Sequence, residues 1–352
     1  MGEAVEMTSA SALLERRWAR YPLVLGTFGV GAFVFLVLNV SLGSVQIPLP
    51  DTCRIVLGGE GSTWVFRSVI WKIRLPRALA GLLCGSSLAV GGLLLQVFFR
   101  NPIVGPYILG ISSGATLTVA LIMLGGFALG FASVHPFFLS LAALVGAMGV
   151  MFIVIAVAAK VRDMITLLVI GLMMGYIASA LSNFLIAFAE KERVHKFVLW
   201  TLGSFSGFRW DEVKILAIAV SLLLPASFLI SKPLNAFLLG EEYAKSMGVN
   251  VKLFRLLVIF ISSALASVVT AFAGPVAFVG LAVPHMARLC LGTSDNRILI
   301  PGTILLGATI ASFCDLLART LFSPVELPIS ATTSLFGAPV VIILLLKRRT
   351  AI

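Results

Sequence analysis

Charged side chains are scarce in this chain: 12% of its 352 residues are Asp, Glu, Lys or Arg, about half the share found in a soluble domain. Two ordinary water-soluble domains, the reading that length alone would favour, are excluded on that ground. Cysteine is equally sparse, and Cys53, Cys84, Cys290 and Cys314 form no CxxC pair, so neither a zinc site nor a redox motif is suggested. The three histidines, His135, His195 and His285, stand far apart, which argues against a metal cluster. No GxxxxGK[ST] phosphate loop occurs, so the chain lacks that route to binding ATP. The short basic start of a cleavable signal peptide is missing too, since Glu3, Glu6 and Glu15 accompany Arg16 and Arg17 ahead of any apolar run.

What the chain does have is hydrocarbon. Hydrophobic residues make up 59% of it, and at about 20 apolar residues per bilayer crossing this supplies up to ten spanning helices. The runs fall at 21–42, 78–99, 108–131, 136–159, 165–189, 213–230, 256–272, 274–291, 298–317 and 329–346. The expected fold is therefore all-α and polytopic. A terminal segment, 1–20, precedes a transmembrane domain, 21–349, and a short tail, 350–352, follows. An even number of crossings puts both termini on one side, where the segments carry 15 Lys and Arg against 11 on the other. The positive-inside rule makes the terminal side cytoplasmic. The net charge of +11 fits basic loops beside anionic lipid better than a nucleic-acid partner.

Small residues and prolines mark these helices as more than anchors. Gly81, Gly85, Gly91 and Gly92 recur in the second span, and Gly110 and Gly114 open the third, a spacing that lets helix backbones approach closely. Pro102, Pro106, Pro275, Pro284 and Pro339 fall at or inside membrane depth, where freed carbonyls need other partners. Breaks of this kind commonly line a pathway. Gly105-Pro106 with Gly110 resembles Gly274-Pro275 with Gly280, as in an internal repeat.

The largest loop of the terminal side, 231–255, carries Glu241 and Glu242, suited to the first turn of a short helix, and Gly248, suited to its stop. Leu239, Tyr243 and Met247 form an apolar stripe at four-residue spacing. Such a stripe on a cytosolic helix either lies on the bilayer or docks into a partner.

Further motifs run in order along the chain: Arg74-Leu75-Pro76-Arg77, Gln96, Asn101-Pro102, Leu109 to Ala115, Gly240-Glu241-Glu242-Tyr243-Ala244, Gly280 to His285, Ala287-Arg288, Asp315 with Arg319, Glu326-Leu327-Pro328 and Gly337-Ala338-Pro339. In this order they are similar to the FecCD family, the permease subunits of ABC importers for iron-siderophores, haem and vitamin B12. The resemblance covers about 21–349. Two places depart from the common pattern: Ile103-Val104-Gly105, where many relatives carry Leu-Ala and an acid, and Ser330-Ala331, where Gly-Val or Gly-Ile is frequent.

The resemblance implies ten helices per subunit, a homodimer around a central pathway in the cell inner membrane, two cytosolic ATPase subunits below and a soluble substrate-binding protein outside. It makes 239–248 the ATPase-coupling helix, with Leu239, Gly240, Glu241, Glu242, Tyr243, Ala244, Met247 and Gly248 as its residues. It makes Arg74, Arg77 and Arg319 outer cations that pair with glutamates of the binding protein; the blander alternative pairs Arg319 with Asp315 one turn away. Gln96, Asn101, Ser112 and Ser113 become candidate pathway residues. No cofactor is expected in this chain, ATP and Mg²⁺ belonging to the ATPase. The cargo would be an iron chelate, haem or a corrinoid.

Two other classes remain to be weighed. Gly110-Ile111-Ser112-Ser113-Gly114 fits G-x-S-x-G, so Ser112 with His285 as base could denote an intramembrane protease, although 32 glycines make such a match easy by chance. An ion-driven transporter would need carboxylates at depth. Only Asp315 and Glu326 are candidates, and both fall near the outer edge.

Overall fold

The computed structural model describes residues 2–43, 45–59, 63–125, 136–161 and 163–349. The expected tail, 350–352, and the far end of the expected third span, 126–131, lie outside the described residues. Among the described residues no strand forms, and the ten apolar segments are all helical. Seven are long and apolar enough to cross a bilayer, and three are shorter: Ile111–Met123, Val279–Leu291 and Ile329–Ile343.

The first helix runs from Gly2 to Ser41, so the terminal segment expected to precede it continues as helix instead of standing apart. The others, in chain order, are the second span Leu75–Phe98, the third Ile111–Met123, the fourth Pro136–Lys160, the fifth Met164–Phe188, the sixth Trp210–Leu229, the seventh Val251–Ala273, the eighth Val279–Leu291, the ninth Asn296–Thr320 and the tenth Ile329–Arg349.

The second span is the axis of the bundle. It packs against the first, sixth, seventh, eighth and ninth spans, and 83% of its apolar window is buried, against 17% for the first span. Its glycines are the reason. A Cβ on Gly85 would lie 2.3 Å from Gly307 O, and one on Gly92 only 1.7 Å from Gly280 O. Only glycine permits those two crossings. The third span crosses the fourth in the same way, at Gly114 and Gly146.

The third and eighth spans are both 13 residues long. Each follows a break closed by a left-handed residue, Gly110 at φ +78° and Phe278 at φ +65°. This matches the internal echo read from the sequence. It also corrects the expected full-length crossings there, because the breaks use up residues that would otherwise be helical.

Helix also extends upstream of the second span, continuous from Trp64 to Phe98 through a π turn at Ile70–Arg74. Pro76 has no N–H for the carbonyl of residue 72 and its ring would crowd that carbonyl. The wider turn, with Leu75 N–H donating to Ile70 O, relieves the conflict.

Candidate functional site

Two ends of the bundle carry the polar chemistry. At one end the 231–255 loop folds as two short helices, Ser231–Leu238 and Glu241–Ser246. The ten-residue helix expected around 239–247 is thus only six residues long, because Gly240 at φ +126° separates the two pieces. Gly248, at φ +82°, ends the second piece with its N–H on Lys245 O.

The loop is pinned from within. Phe237 stacks on Phe98 at 5.9 Å and meets Phe254 at 5.0 Å, and Ala244 is fully buried. Asn235 donates to Asp295 at 2.6 Å and accepts from Asn296. Leu239, Tyr243 and Met247 remain exposed, so the apolar stripe faces away from the bundle. Lys245 bonds Glu242 at 2.7 Å and approaches Glu241 at 3.5 Å, and the hydrogen bond to Glu242 raises its ammonium above the usual lysine range. The glutamates are therefore paired with Lys245 inside the helix, and the outward side offers Leu239, Tyr243 and Met247 beside the exposed Glu242–Lys245 pair.

The first span starts at this end, since Arg20 donates to Cys290 O at 2.8 Å, at the close of the eighth span. Arg100 lies here too, 3.9 Å from where a Gly240 Cβ would stand. Arg74, Arg77, Asp315, Arg319 and Glu326 gather at the opposite end.

That second cluster differs from the sequence expectation. Arg74, Arg77 and Arg319 are 3%, 6% and 9% exposed, not outward-facing. Arg77 is bidentate to Asp315, with Nε on Oδ1 and Oδ2 at 3.0 and 3.1 Å and Nη2 on Oδ1 at 2.8 Å. Its Nη1 bonds both oxygens of Glu326, at 2.8 and 3.0 Å. Arg74 donates to the carbonyls of Val40 and Ser41 at the end of the first span and of Val45 just beyond it. Arg319 turns to the carbonyl and side chain of Asn39. The Arg319–Asp315 pair is corrected as well: Asp315 takes Arg77 as its hydrogen-bond partner, and Arg319 goes to the first span.

The reason is desolvation. A guanidinium at a helix end inside an apolar bundle gains more from carbonyls and carboxylates of its own chain than from waiting for an external partner. Exposed cations of this end, among the described residues, include Arg54, Arg67, Lys72, Lys191, Lys196, Arg209 and Lys214.

The candidate pathway residues separate. Gln96 is buried, donating to Leu281 O and accepting from Arg288, each at 3.0 Å. It ties the second span to the eighth. Asn101 is exposed at the inner end and accepts from Ile103 N–H. Ser112 and Ser113 sit half-buried on the third span, where Gly175 of the fifth approaches Ser113 Oγ. Thr116 and Thr118 bond helix carbonyls.

Sequence reasoning passed over Asn39 and Arg255, and although it marked Arg288 within a motif it had no distant partner to assign to any of the three. Asn39, an amide near the end of an apolar run, was the most visible of the three. The departure at Ser330 has a structural use: its hydroxyl donates to Pro275 O at 2.6 Å, bracing the break before the eighth span.

Comparison with known proteins bears on both ends. The sequence pattern of the FecCD transport family matches residues 31–347. The vitamin B12 import system permease protein BtuC of Klebsiella pneumoniae is 35% identical over 349 residues, covering 97% of this chain and 98% of that protein. BtuC of Citrobacter koseri is 36% identical over 289 residues, covering 80% and 83%. Among solved structures, a metal-chelate-type ABC transporter in an inward-facing conformation superposes with a TM-score of 0.81 at 30% identity, covering 93% of this chain and 99% of that one. PsaBC of Streptococcus pneumoniae, 16% identical with a TM-score of 0.50, shares the fold alone.

Proposed function

The chain belongs to the FecCD transport family, and from that premise, as the permease subunit of an ABC importer, we propose that it carries a corrinoid across the cell inner membrane. It works as a homodimer with two cytosolic ATPases and a soluble binding protein. ATP and Mg²⁺ bind the ATPase subunits, and no covalent chemistry occurs in this chain. The observation that carries the reading is the exposed apolar set of Leu239, Tyr243 and Met247, on and flanking a short helix that is otherwise anchored. An apolar face held rigidly at the end of the bundle fits a partner's cleft. Motion of that partner on binding nucleotide then tilts the attached spans and switches the pathway between outward and inward access.

This assignment makes the loop end cytoplasmic, and with it both chain ends. The opposite end receives the binding protein through its exposed cations, which steer docking, while Arg74, Arg77 and Arg319 hold the mouth in shape. The pathway runs between the two copies, along the exposed faces of the fifth and tenth spans, with Ser112 and Ser113 beside the fifth. A corrinoid is favoured because BtuC of Klebsiella pneumoniae, which matches the chain almost from end to end, is a vitamin B12 permease.

Proteoliposomes with the cognate ATPase and binding protein test the reading. Cyanocobalamin uptake should require ATP and should not be inhibited by a ferric siderophore or haem. In the double variant Glu241→Arg, Glu242→Arg uptake falls at least tenfold and the ATPase no longer co-purifies, while membrane insertion is unchanged. Full uptake by that variant would refute the coupling role. The ion-driven alternative is disfavoured by geometry, since Asp315 and Glu326 are both engaged by Arg77. Uptake driven by an ion gradient without any ATPase would reinstate it. Ser112→Ala leaves uptake unchanged, whereas the protease reading requires loss of cleavage.

A further inference from the structure

We infer that the cleft between the inner ends of the fourth and seventh spans binds the phosphate of an anionic phospholipid, and that this lipid bears on the coupling helix. The inference rests on the reading of this end as cytoplasmic, where the anionic leaflet lies.

The cleft has a volume of about 530 Å³, and its polar lining is Lys160, Glu241, Lys245, Lys252 and Arg255. Four cations thus face one carboxylate. Lys245 is taken up by Glu242 and Glu241. Lys160 and Lys252 are exposed at the rim, and neither forms an ion pair among the described residues. Arg255, its side chain 8% exposed, is held deeper, with Nη1 on Val161 O at 2.5 Å and Nη2 3.9 Å from Glu241 Oε2. Asp163, the nearby carboxylate, is committed to Thr166 N and Oγ1 at 2.7 and 2.6 Å. A phosphate entering the cleft therefore meets two lysines without carboxylate partners and a fixed guanidinium.

The surroundings select a lipid over a free anion. On the fourth span Leu141, Val145 and Phe152 are exposed along one stripe that ends at Ala159 and Lys160. That apolar track stops at the cleft, the geometry of an acyl chain below a headgroup. Glu241 belongs at once to this lining and to the coupling helix. A bound phosphate competes with it for Lys245 and Arg255 and so changes how firmly the helix is held.

Native mass spectrometry of the purified full-length permease, without ATPase or cargo, tests the site independently of transport. Phosphatidylglycerol should be retained in preference to phosphatidylcholine, and the double variant Lys160→Gln, Lys252→Gln should weaken that retention about thirtyfold, at the usual strength of two lysines beside an anionic headgroup. A control double variant at the other end, Lys191→Gln, Lys196→Gln, should retain it fully, and Arg255→Lys should keep most of it. Equal retention in all variants, or equal loss in both doubles, overturns the proposal. Displacement of the lipid by millimolar inorganic phosphate would assign the site to free phosphate instead. Unchanged lipid retention with loss of ATPase association would assign the cleft to the partner protein. If cyanocobalamin uptake fails while the lipid result holds, the cargo assignment is wrong and the site stands.

Discussion

Replacing Arg77 with alanine is expected to destabilise the protein by about 3–5 kcal/mol, the usual cost of removing one partner of a buried ion pair. Asp315, 2% exposed, would keep its charge in an apolar bundle with its bidentate partner gone. Glu326 would lose the guanidinium that ties the segment before the tenth span to the second. Thermal unfolding of the detergent-purified chain measures the effect as a midpoint several degrees lower. Asp315→Asn alone should also destabilise, and the double variant Arg77→Ala, Asp315→Asn should cost clearly less than the two single changes added, because neither charge is then stranded.

This prediction separates two roles. Were Arg77 an outward-facing docking cation, its loss would weaken capture of the binding protein and leave the midpoint untouched, since exposed pairs contribute only ~0–1 kcal/mol. An unchanged midpoint would therefore restore the docking role and remove the bracing one.

The second large effect is steric. Gly92→Ala places a methyl group 1.7 Å from Gly280 O, and that neighbour is backbone, which cannot swing aside. Overpacking of ordinary cores costs about 1–3 kcal/mol, and a collision with backbone at a helix crossing should reach or exceed the upper figure. Pro284 sharpens the point: it has no N–H for the carbonyl of residue 280, the same carbonyl that faces Gly92. The expected result is a sharp drop in folded yield in membranes and a lower unfolding midpoint. Gly149→Ala, on the fourth span with open space around the added carbon, is the control. It should be neutral or slightly stabilising, because alanine is about 1 kcal/mol better than glycine in a helix. Similar behaviour of the two variants would show that the second and eighth spans do not cross as closely as described.

Much of the fold was readable from the chain. Runs of about 20 apolar residues bounded by charge have little choice in a bilayer but to be helices, so all ten segments were found. The loop helix was readable for another local reason: Glu241 and Glu242 favour a helix start, Gly248 favours its end, and the two signals stand about two turns apart. The length of that helix was not readable, because Gly240 in the stripe gives no sign of which backbone region it adopts. The third and eighth spans were overestimated for a similar reason. Pro102, Pro106 and Pro275 marked breaks, but residues 108–110 and 274–278 are apolar enough to be counted into the spans, and only the left-handed Gly110 and Phe278 show where each helix starts.

The amino-acid order by itself settled which segments form the apolar helices, that close helix contacts would form on glycine, and where a short helix would start in the 231–255 loop; each of these depends on residues within a turn or two of one another. Tertiary structure alone decided where the buried charges go. Arg77 finds Asp315 and Glu326 at separations of 238 and 249 residues, and Arg319 finds Asn39 at 280. No local pattern encodes such pairings. They follow from which helix ends arrive together once the glycine crossings have drawn the bundle tight, and from the energy of leaving a charge unpaired in hydrocarbon.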